Sequence, residues 1–331
     1  MSDLPIIDVR SPAEFKQGHI PGATNIPLFT NEERAAVGTV YKQKTKEKAI
    51  ELGYTFVTPK LDYFVEASKE ITSKNGIVIH CWRGGMRSKA FAEHLANNGI
   101  DNVFVIQHGY KAYRRTVIKG FENEYNICIL GGYTGSGKTE ILAEINEAGE
   151  QVIDLEALAS HKGSAYGGIG QGTQPSNEHF ENMLFWQWKD LDLTRRIWIE
   201  DESRNIGNVV LPQYLYNELR GQKLYFINIP REERAKFLVE GYADLDHDEL
   251  VAATKRIEKR LGGLATKNAL EFLEQSAYYK LALLALSYYD KHYTFGLQKR
   301  NQKLVHKLEL KSTNHKQNAQ TILDYVNKYG N

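Results

Sequence analysis

A loop around a cysteine carries the first chemical signature of this sequence. Cys81 follows the apolar residues 77–80 and precedes a helix-like segment, and the loop reads Cys81, Trp82, Arg83, Gly84, Gly85, Met86, Arg87 and Ser88. In a strand-loop-helix unit the loop amides and the helix N-terminus converge on one point, where they favour a thiolate and bind an anion. Arg83 and Arg87 add donors for a tetrahedral oxyanion. The pattern predicts a reactive Cys81, with Ser88 as the N-cap of the next helix.

A second loop has the glycine spacing of a diphosphate cradle. It follows the apolar residues 127–130 and reads Gly132, Tyr133, Thr134, Gly135, Ser136, Gly137, Lys138 and Thr139. Between a strand and a helix, the amides of such a P-loop wrap a diphosphate. Lys138 would neutralise the terminal phosphates, and Thr139 would hold a Mg²⁺ ion.

Two acidic clusters follow strand-like segments further along the chain. Asp154 and Glu156 form the first, and residues 200–202, which include Asp201, form the second. Carboxylates at such places hold the metal ion of kinase-like P-loop folds. We expect Asp154, Glu156 and Asp201 to lie near a metal ion, and a surface turn is the alternative for each cluster.

The elements that must position these loops alternate between strand and helix. This order predicts an α/β fold with parallel sheets covered by helices. The predicted strands are residues 6–9, 77–80, 103–106, 127–130, 151–153, 197–199 and 224–229. The clearest predicted helices are residues 89–97, 140–147 and 268–289. A polar, basic stretch at residues 112–126 marks the boundary between a domain of residues 1–118 and a domain of residues 119–331 with a helical, basic C-terminal part.

Composition narrows the class of protein. The chain has 331 residues and a formal net charge of +1, so its total charge does not select a partner. Its two cysteines, Cys81 and Cys128, have no metal-ligand or CxxC spacing, which excludes a disulfide framework or a zinc site. Cys128 is expected in the core. A strand-like segment stands directly at the N-terminus and the most apolar helix is short, so we expect a cytoplasmic protein without a membrane segment.

The first part of the chain resembles a rhodanese domain over residues 1–118. The resemblance is carried by residues 8–15 (DVRSPAEF), residues 18–23 (GHIPGA), the Cys81 loop and residues 109–113 (GYKAY). Rhodaneses carry sulfur as a persulfide on the loop cysteine. Here Arg87 stands at Cys-x5-Arg, one residue further than in the commonest sulfurtransferases. This spacing is similar to that of rhodanese-fold phosphatases and suggests a substrate with a phosphate group, or with an atom larger than sulfur.

Nearly the whole chain resembles the bacterial tRNA 2-selenouridine synthase family. The resemblance extends to residues 34–43 (RAAVGTVYKQ), the glycine-rich residues 155–168, residues 174–182 and residues 199–207 (IEDESRNIG). It implies a two-step activity on the wobble 2-thiouridine of tRNA. Geranyl diphosphate first alkylates the sulfur, and selenium from selenophosphate then displaces the geranylthio group. No tightly bound cofactor is implied.

The resemblance distributes these substrates over the two loops. Selenophosphate suits the lengthened Cys81 loop, where Cys81 either carries selenium covalently or helps to bind and activate selenophosphate. Geranyl diphosphate suits the P-loop, with Mg²⁺ as a possible companion. The aromatic residues 180–188 are either ordinary core or the lining of a pocket for the apolar chain.

A tRNA substrate requires a positive surface. The predicted RNA-binding set is Lys255, Arg256, Lys259 and Arg260, placed at i, i+4 on one helix whose apolar side is formed by Leu250, Ile257 and Leu261. Further candidates are Lys42, Lys44, Lys46, Lys48, Arg114, Arg115, Lys119 and the basic residues between 291 and 316. A solvated surface is the alternative for each group.

Three other functions use the same motifs. An ATP-dependent tRNA sulfurtransferase would carry a persulfide on Cys81, a phosphatase would use Cys-x5-Arg-Ser, and an RNA-binding scaffold would need neither loop for catalysis. The phosphatase lacks an evident general acid in or beside its loop. His19 and His80 are expected to be structural, whereas His161 is equally compatible with a structural and a catalytic role.

Overall fold

The computed structural model describes residues 4–122, 125–164, 166–242 and 246–329. The chain forms two compact units. The first consists of Met1–Glu122 and Glu178–Trp186, and the second of Asn123–Asn177 and Gln187–Asn331. The boundary predicted after residue 118 falls inside a helix, Gly109–Gly120, and the return of the chain to the first unit was not predicted.

The first unit contains a four-stranded parallel sheet. Its strands are β1 (Ile6–Asp8), β2 (Ala23–Asn25), β3 (Ile77–His80) and β4 (Val103–Val105), in the order β2-β1-β3-β4. Its helices are α1 (Pro12–Gln17), α2 (Asn31–Gln43), α3 (Lys46–Val57), α4 (Leu61–Ile71), α5 (Met86–Asn97) and α6 (Gly109–Gly120), with a 3-10 turn at Thr58–Lys60. Apolar side chains of β1 and β3, such as Ile7 and Ile79, pack with Phe64 and Phe91 in its core.

The second unit contains a five-stranded parallel sheet and a short antiparallel hairpin. The sheet strands are β5 (Ile127–Gly132), β6 (Gln151–Ile153), β7 (Ile197–Glu200), β10 (Lys223–Asn228) and β11 (Val305–Glu309), in the order β11-β10-β5-β7-β6. The hairpin is β8 (Asn205–Ile206) with β9 (Val209–Val210). The P-loop follows the central strand β5, so both neighbouring strands end beside it. The predicted α/β fold with two parallel sheets is confirmed, whereas β2, β11 and the hairpin were not predicted.

Helices cover this sheet and form its C-terminal part. They are α7 (Lys138–Glu147), α8 (Leu155–Leu158), α10 (Gln213–Gly221), α11 (Arg231–Tyr242), α12 (His247–Arg256), α13 (Glu258–Leu261), α14 (Gly263–Glu274), α15 (Tyr278–Gln298) and α16 (His315–Tyr329), with a 3-10 turn at Gln302–Leu304. The helix predicted over residues 268–289 is in fact two helices, because Ser276 takes a left-handed φ of 51° between α14 and α15. Within the described ranges, no helix is both long and apolar enough to cross a membrane.

The aromatic helix α9 (Asn177–Trp188) belongs largely to the first unit. Phe180 is fully buried, and the ring of Phe185 packs edge-on against Tyr113. A Cβ at Gly120 of α6 would lie 2.2 Å from the Phe185 ring, so the glycine makes this packing possible. Phe180 and Phe185 therefore belong to the core of the first unit, which is the first of the two alternatives given for residues 180–188.

Candidate active site: a thiol loop and a diphosphate loop

The thiol loop lies between β3 and α5 in the first unit. Cys81 is 3% exposed, and its Sγ lies 3.2 Å from Oγ of Ser88. Helix α5 begins at Met86 with Gly85 as its N-cap, so Ser88 is in the first helical turn and not at the cap position that was predicted for it. Because Ser88 lies in the first turn of α5, its hydroxyl reaches the thiol of Cys81.

The start of α6 braces the same loop. The amides of Tyr110 and Lys111 donate to the carbonyl oxygens of Cys81 and Trp82, both at 2.9 Å. A side chain at Gly84 would place Cβ 2.9 Å from the amide nitrogen of Gly109, and Gly84 has a φ of 59°. The motif at residues 109–113 therefore holds the backbone of the thiol loop in place through hydrogen bonds and close backbone packing.

The loop lowers the pKa of the Cys81 thiol. Burial alone would raise this pKa, but hydrogen bonds from the hydroxyl and amide of Ser88 and the amide of Arg83, together with the charge of Arg87, outweigh it. The result is a thiol with a larger thiolate fraction at neutral pH than an ordinary cysteine. The side chains of Arg83 and Met86 are exposed, and Trp82 is half-buried.

Replacing Ser88 with alanine should raise the pKa of Cys81, because the variant loses the hydroxyl that stabilises the thiolate. The rate of Cys81 alkylation, measured between pH 6 and pH 10, should then rise at a higher pH than in the wild type. We expect a roughly tenfold lower rate near pH 7, since one hydrogen bond to a charged group contributes about 1.5 kcal/mol or more. An unchanged pH profile would show that Ser88 does not stabilise the thiolate.

Arg87 is tied to a carboxylate beside the loop. Its Nη1 donates to Oε2 of Glu14 at 3.3 Å, and the amide of Ser11 donates to the same oxygen at 3.2 Å. Burial alone would raise the pKa of Glu14, but Arg87, the Ser11 amide and Arg34 outweigh it and lower this pKa. Glu14 is thus an acid beside the thiol loop that the sequence did not reveal, and it is ionised at neutral pH.

A buried polar network underlies the rhodanese-like motifs. Arg10 and Asp8 form an ion pair at 2.6 Å with almost no exposure, and the guanidinium of Arg10 lies 3.7 Å from the ring centre of Tyr110. The Tyr110 hydroxyl accepts from the side-chain amide of Asn182 in α9 at 2.7 Å. Burial lowers the pKa of His80 to about 4, so His80 is neutral and structural in this core.

The other two histidines also lie in packed surroundings. Nδ1 of His19 is 2.9 Å from the carbonyl oxygen of Phe15, and its ring stacks on the Phe15 ring at 3.7 Å. Burial lowers the pKa of His19. His161 stands in the glycine-rich segment of the second unit, where burial and Arg256 lower its pKa.

The P-loop has the backbone that its glycines require. Gly135 and Gly137 have φ values of 78° and 68°, in the left-handed region that favours glycine. A Cβ at Gly132 would lie 2.6 Å from Cγ1 of Ile227 on β10. Ser136 is buried, and its Oγ has no hydrogen-bond partner among the described residues. Lys138 and Thr139 begin α7, where the helix N-terminus favours an anion.

Helices α11 and α15 hold the P-loop from one side. The buried Arg234 donates to the carbonyl oxygen of Thr134 at 3.0 Å and to both carboxylate oxygens of Asp290. The hydroxyl groups of Tyr133 and Thr294 lie 3.1 Å apart. A role for α15 in supporting the P-loop was not predicted, because no motif marks this helix.

A cavity of about 690 Å³ opens beside Tyr133. It lies between the ends of β10 and β11 and the helices α11 and α15. Its apolar lining includes Ile229, Phe295 and Leu310, and its charged lining includes Arg231. Within the second unit, this cavity adjoins the P-loop at Tyr133.

Three glutamates gather on the other side of the P-loop. Oγ1 of Thr139 donates to Glu156 at 3.1 Å, and Oε1 of Glu200 accepts from the amide of Glu156 at 2.7 Å. Burial and neighbouring carboxylates raise the pKa of Glu156, raise that of Glu200 strongly and raise that of Glu202 to about 8. Burial is the largest cause of these raised pKa values, and a cation bound among the carboxylates would offset their mutual repulsion.

Asp201 and Asp154, the other two acids predicted to lie near a metal ion, have different partners. Asp201 forms ion pairs with Arg300 and with Arg220, the latter at 3.6 Å, so it faces away from Thr139. Asp154 caps α8 by accepting from the amide of Ala157 at 2.7 Å. Asp201 thus has arginine partners, whereas its neighbours Glu200 and Glu202 interact with Glu156, and a role of Asp201 near a metal ion stays a prediction. Among the described residues, no three His, Cys, Asp or Glu side chains are arranged to hold a metal ion by themselves.

The basic residues of the second unit that are predicted to bind RNA lie on several different elements. Lys255 and Arg256 end α12, whereas Lys259 and Arg260 lie in α13, so the prediction of one continuous helix is wrong. All four side chains are exposed, and Leu250 and Ile257 are buried as predicted. Of the basic residues between 291 and 316, Lys291 lies in α15, Lys307 in β11 and Lys316 in α16, and the others lie in the segments between these elements.

Two further candidates are engaged in ion pairs. Arg114 pairs with Glu181 of α9, and Arg300 is 7% exposed and pairs with Asp201. Neither side chain is therefore a simple exposed cation. Lys42, Lys44, Lys46 and Lys48 are all exposed.

Comparison with known proteins gives a consistent result. Residues 1–116 match the rhodanese-like domain, and residues 125–324 match the AAA domain of tRNA 2-selenouridine synthase. The tRNA 2-selenouridine synthase of Nitrosomonas europaea is 37% identical, over 84% of this chain and 73% of that protein. Those of Hydrogenovibrio crunogenus and a Sulfurovum species are 33% and 31% identical, over 92% and 99% of this chain and 92% and 96% of those proteins. Taken with the two loops, these matches show that the chain belongs to the tRNA 2-selenouridine synthase family.

Proposed function

We propose that this enzyme converts the wobble 2-thiouridine of tRNA to 2-selenouridine in two steps. In the first step the sulfur attacks the first carbon of geranyl diphosphate, and diphosphate leaves. In the second step the selenium of selenophosphate attacks C2 of the base and expels geranylthiol, a better leaving group than the original thione sulfur. Water then takes the phosphoryl group from selenium, which releases phosphate and leaves 2-selenouridine. The presence of two anion-binding loops in one chain, one holding a thiol of lowered pKa, supports this proposal most directly.

We assign the first step to the P-loop. Its amides and Lys138 would bind the diphosphate, and the cavity beside Tyr133 offers apolar side chains for the geranyl chain. Thr139 and Glu156 would hold a Mg²⁺ ion, which would supply positive charge to the departing diphosphate. The raised pKa values of Glu156, Glu200 and Glu202 support a cation at this place.

We assign the second step to the thiol loop. The loop amides and Arg87 would bind the phosphate group of selenophosphate beside the Cys81 thiolate. Cys81 is more nucleophilic at neutral pH than an ordinary cysteine because its pKa is lowered.

A phosphatase would need a proton donor for its leaving group. Glu14, the acid that contacts Arg87 of the loop, has a lowered pKa and is a carboxylate at neutral pH. This favours binding and group transfer over phosphate ester hydrolysis.

The proposed function is tested by nucleoside mass spectrometry of thiolated tRNA. The tRNA is incubated with the protein, geranyl diphosphate and selenophosphate, and each small molecule is omitted in turn. We expect 2-selenouridine only in the complete mixture and S-geranyl-2-thiouridine when selenophosphate is omitted. Selenouridine formed at an undiminished rate without geranyl diphosphate would contradict the two-step scheme.

We further propose that tRNA binding in the cytoplasm is electrostatic and includes Lys255, Arg256, Lys259 and Arg260. Changing all four to glutamate should weaken binding and flatten its salt dependence, because each lost phosphate contact removes about 0.7 to 0.9 from the slope of log K against log salt. The measurement is tRNA affinity at several salt concentrations.

A matched control keeps the total charge change the same. It changes four exposed lysines of the second unit to glutamate, namely Lys236, Lys267, Lys280 and Lys328. If both quadruple variants lose affinity equally, the effect is one of net charge, and the α12–α13 surface is not an RNA site.

A further inference from the structure

Two arginines share one carboxylate oxygen beside the thiol loop. Oε2 of Glu14 lies 3.3 Å from Nη1 of Arg87 and 3.5 Å from Nε of Arg34. Arg87 stands in the first turn of α5, Arg34 in the first half of α2, and Glu14 in α1. Three helices thus bring their charged side chains to one point of the first unit, and Arg87 is the residue whose charge acts on Cys81.

The charges at this point do not cancel. Glu14 supplies one negative charge, whereas Arg34 and Arg87 supply two positive charges. The Nε group of Arg34 is buried and makes no hydrogen bond to any residue that the structure describes, although its guanidinium is close enough to Glu14 for an ion pair. A guanidinium has five N–H donors in a fixed plane, so Arg34 retains donors for a further acceptor.

A glycine one helical turn further on makes room for the Arg34 side chain. A Cβ at Gly38 would lie 2.9 Å from Nη1 of Arg34. Residues at i and i+4 of a helix share one face, so the guanidinium lies along α2 over the bare backbone of Gly38. Gly38 is half-buried, and a glycine in a helix interior weakens the helix. The absence of a side chain at Gly38 leaves room for the guanidinium of Arg34, which gives this destabilising residue a structural role.

Stability alone does not account for the Arg34–Glu14 pair. Its side chains are 39% and 26% exposed, and ion pairs with such exposure contribute little to folding. The same guanidinium placed beside a bound anion would contribute a charge-assisted hydrogen bond.

We propose that Arg34 is a further anion-binding residue of the thiol loop, which acts with Arg87 on a tetrahedral oxyanion of the phosphate type, and that Glu14 and Gly38 position it. This inference deepens the proposed function, in which that oxyanion is the phosphate group of selenophosphate. Glu14 holds both guanidiniums on one oxygen and leaves one positive charge for the ligand.

The test measures phosphate bound at the thiol loop itself. Cys81 is alkylated in the full-length protein at increasing concentrations of inorganic phosphate or thiophosphate, and the modified peptide is followed by mass spectrometry. Following the Cys81 peptide ensures that phosphate bound at the P-loop does not contribute to the signal. Concentrations that halve the alkylation rate give the affinity.

Arg34→Ala should weaken phosphate protection of Cys81 about tenfold, the loss expected for one charge-assisted contact. Arg34→Lys should restore part of it, because it keeps the charge without the planar donors. Gly38→Ala should weaken protection as well, although it raises the melting temperature by favouring the helix. Lys69→Ala, an exposed lysine on α4, is the matched control and should leave protection unchanged.

The outcomes separate this inference from the proposed function. If phosphate protects Cys81 equally in the wild type, Arg34→Ala and Gly38→Ala, the inference is wrong and the proposed function stands. If neither anion protects wild-type Cys81, the thiol loop is no oxyanion cradle, and both proposals are wrong. If Arg34→Ala instead lowers only the affinity for tRNA, Arg34 serves an RNA phosphate, and the assignment to the thiol loop is overturned.

Discussion

Replacing Cys81 with alanine should abolish 2-selenouridine formation while S-geranyl-2-thiouridine still forms and accumulates. The expected loss is complete within detection, because the variant lacks the thiolate that the loop amides, Ser88 and Arg87 stabilise. Geranylation should continue, since the P-loop belongs to the other unit of the chain. The measurement is nucleoside mass spectrometry of thiolated tRNA treated with geranyl diphosphate and selenophosphate.

Cys128→Ala is the matched control for this experiment. Cys128 is 4% exposed in β5, and burial raises its pKa to about 11, so it is an unreactive core thiol. The control should form 2-selenouridine normally once its fold is verified by its melting temperature. Normal selenouridine formation by the Cys81 variant would show that the thiol is dispensable.

Replacing Lys138 with alanine should reduce geranylation sharply and leave the reactivity of Cys81 unchanged. One charge-assisted contact to a phosphate contributes roughly 1.5 to 3 kcal/mol, which corresponds to about a 10- to 150-fold loss of diphosphate affinity. Calorimetric titration with geranyl diphosphate measures this loss directly. Lys236→Ala, an exposed lysine on α11, is the control.

The same titration, repeated with ATP and combined with the geranylation rate, separates the proposed function from an ATP-dependent sulfurtransferase. If the P-loop serves ATP, the Lys138 variant loses ATP binding and geranylates 2-thiouridine at the wild-type rate. That result would assign the P-loop to nucleotide chemistry and would remove geranyl diphosphate from it.

The sequence predicted those parts of the fold that depend on local pattern. Six of the seven predicted strands begin at the same residue as strands in the structure, because short apolar runs between turn residues are typical of buried parallel strands. Strand β11 was missed because Val305–Glu309 mixes polar and apolar residues at the edge of its sheet. Its basic residues directed attention to charge instead of to the sheet.

Side-chain direction was available from the sequence but was not used for the acids after β7. Successive side chains of an extended segment point to opposite sides, so Glu200 and Glu202 face one way and Asp201 the other. Because side chains alternate between the two sides, Glu202 must lie on the P-loop side if Glu200 does. Nothing local, however, reveals that Glu14 and Arg34 meet Arg87, because their contact depends on three helices that are distant in the chain.

The return of residues 178–186 to the first unit affects how this protein is made. Asn182 supplies the amide that contacts Tyr110, and Phe180 and Phe185 fill core positions of a unit that otherwise ends at Glu122. During synthesis, the ribosome must therefore produce the P-loop and the glycine-rich segment before the thiol-bearing unit can complete its core. Native contacts between residues so far apart in sequence form slowly, and domains usually fold as units while the chain emerges. The nascent chain must thus hold an unfinished core until α9 emerges, so the thiol loop reaches its final structure only after the P-loop segment has been made.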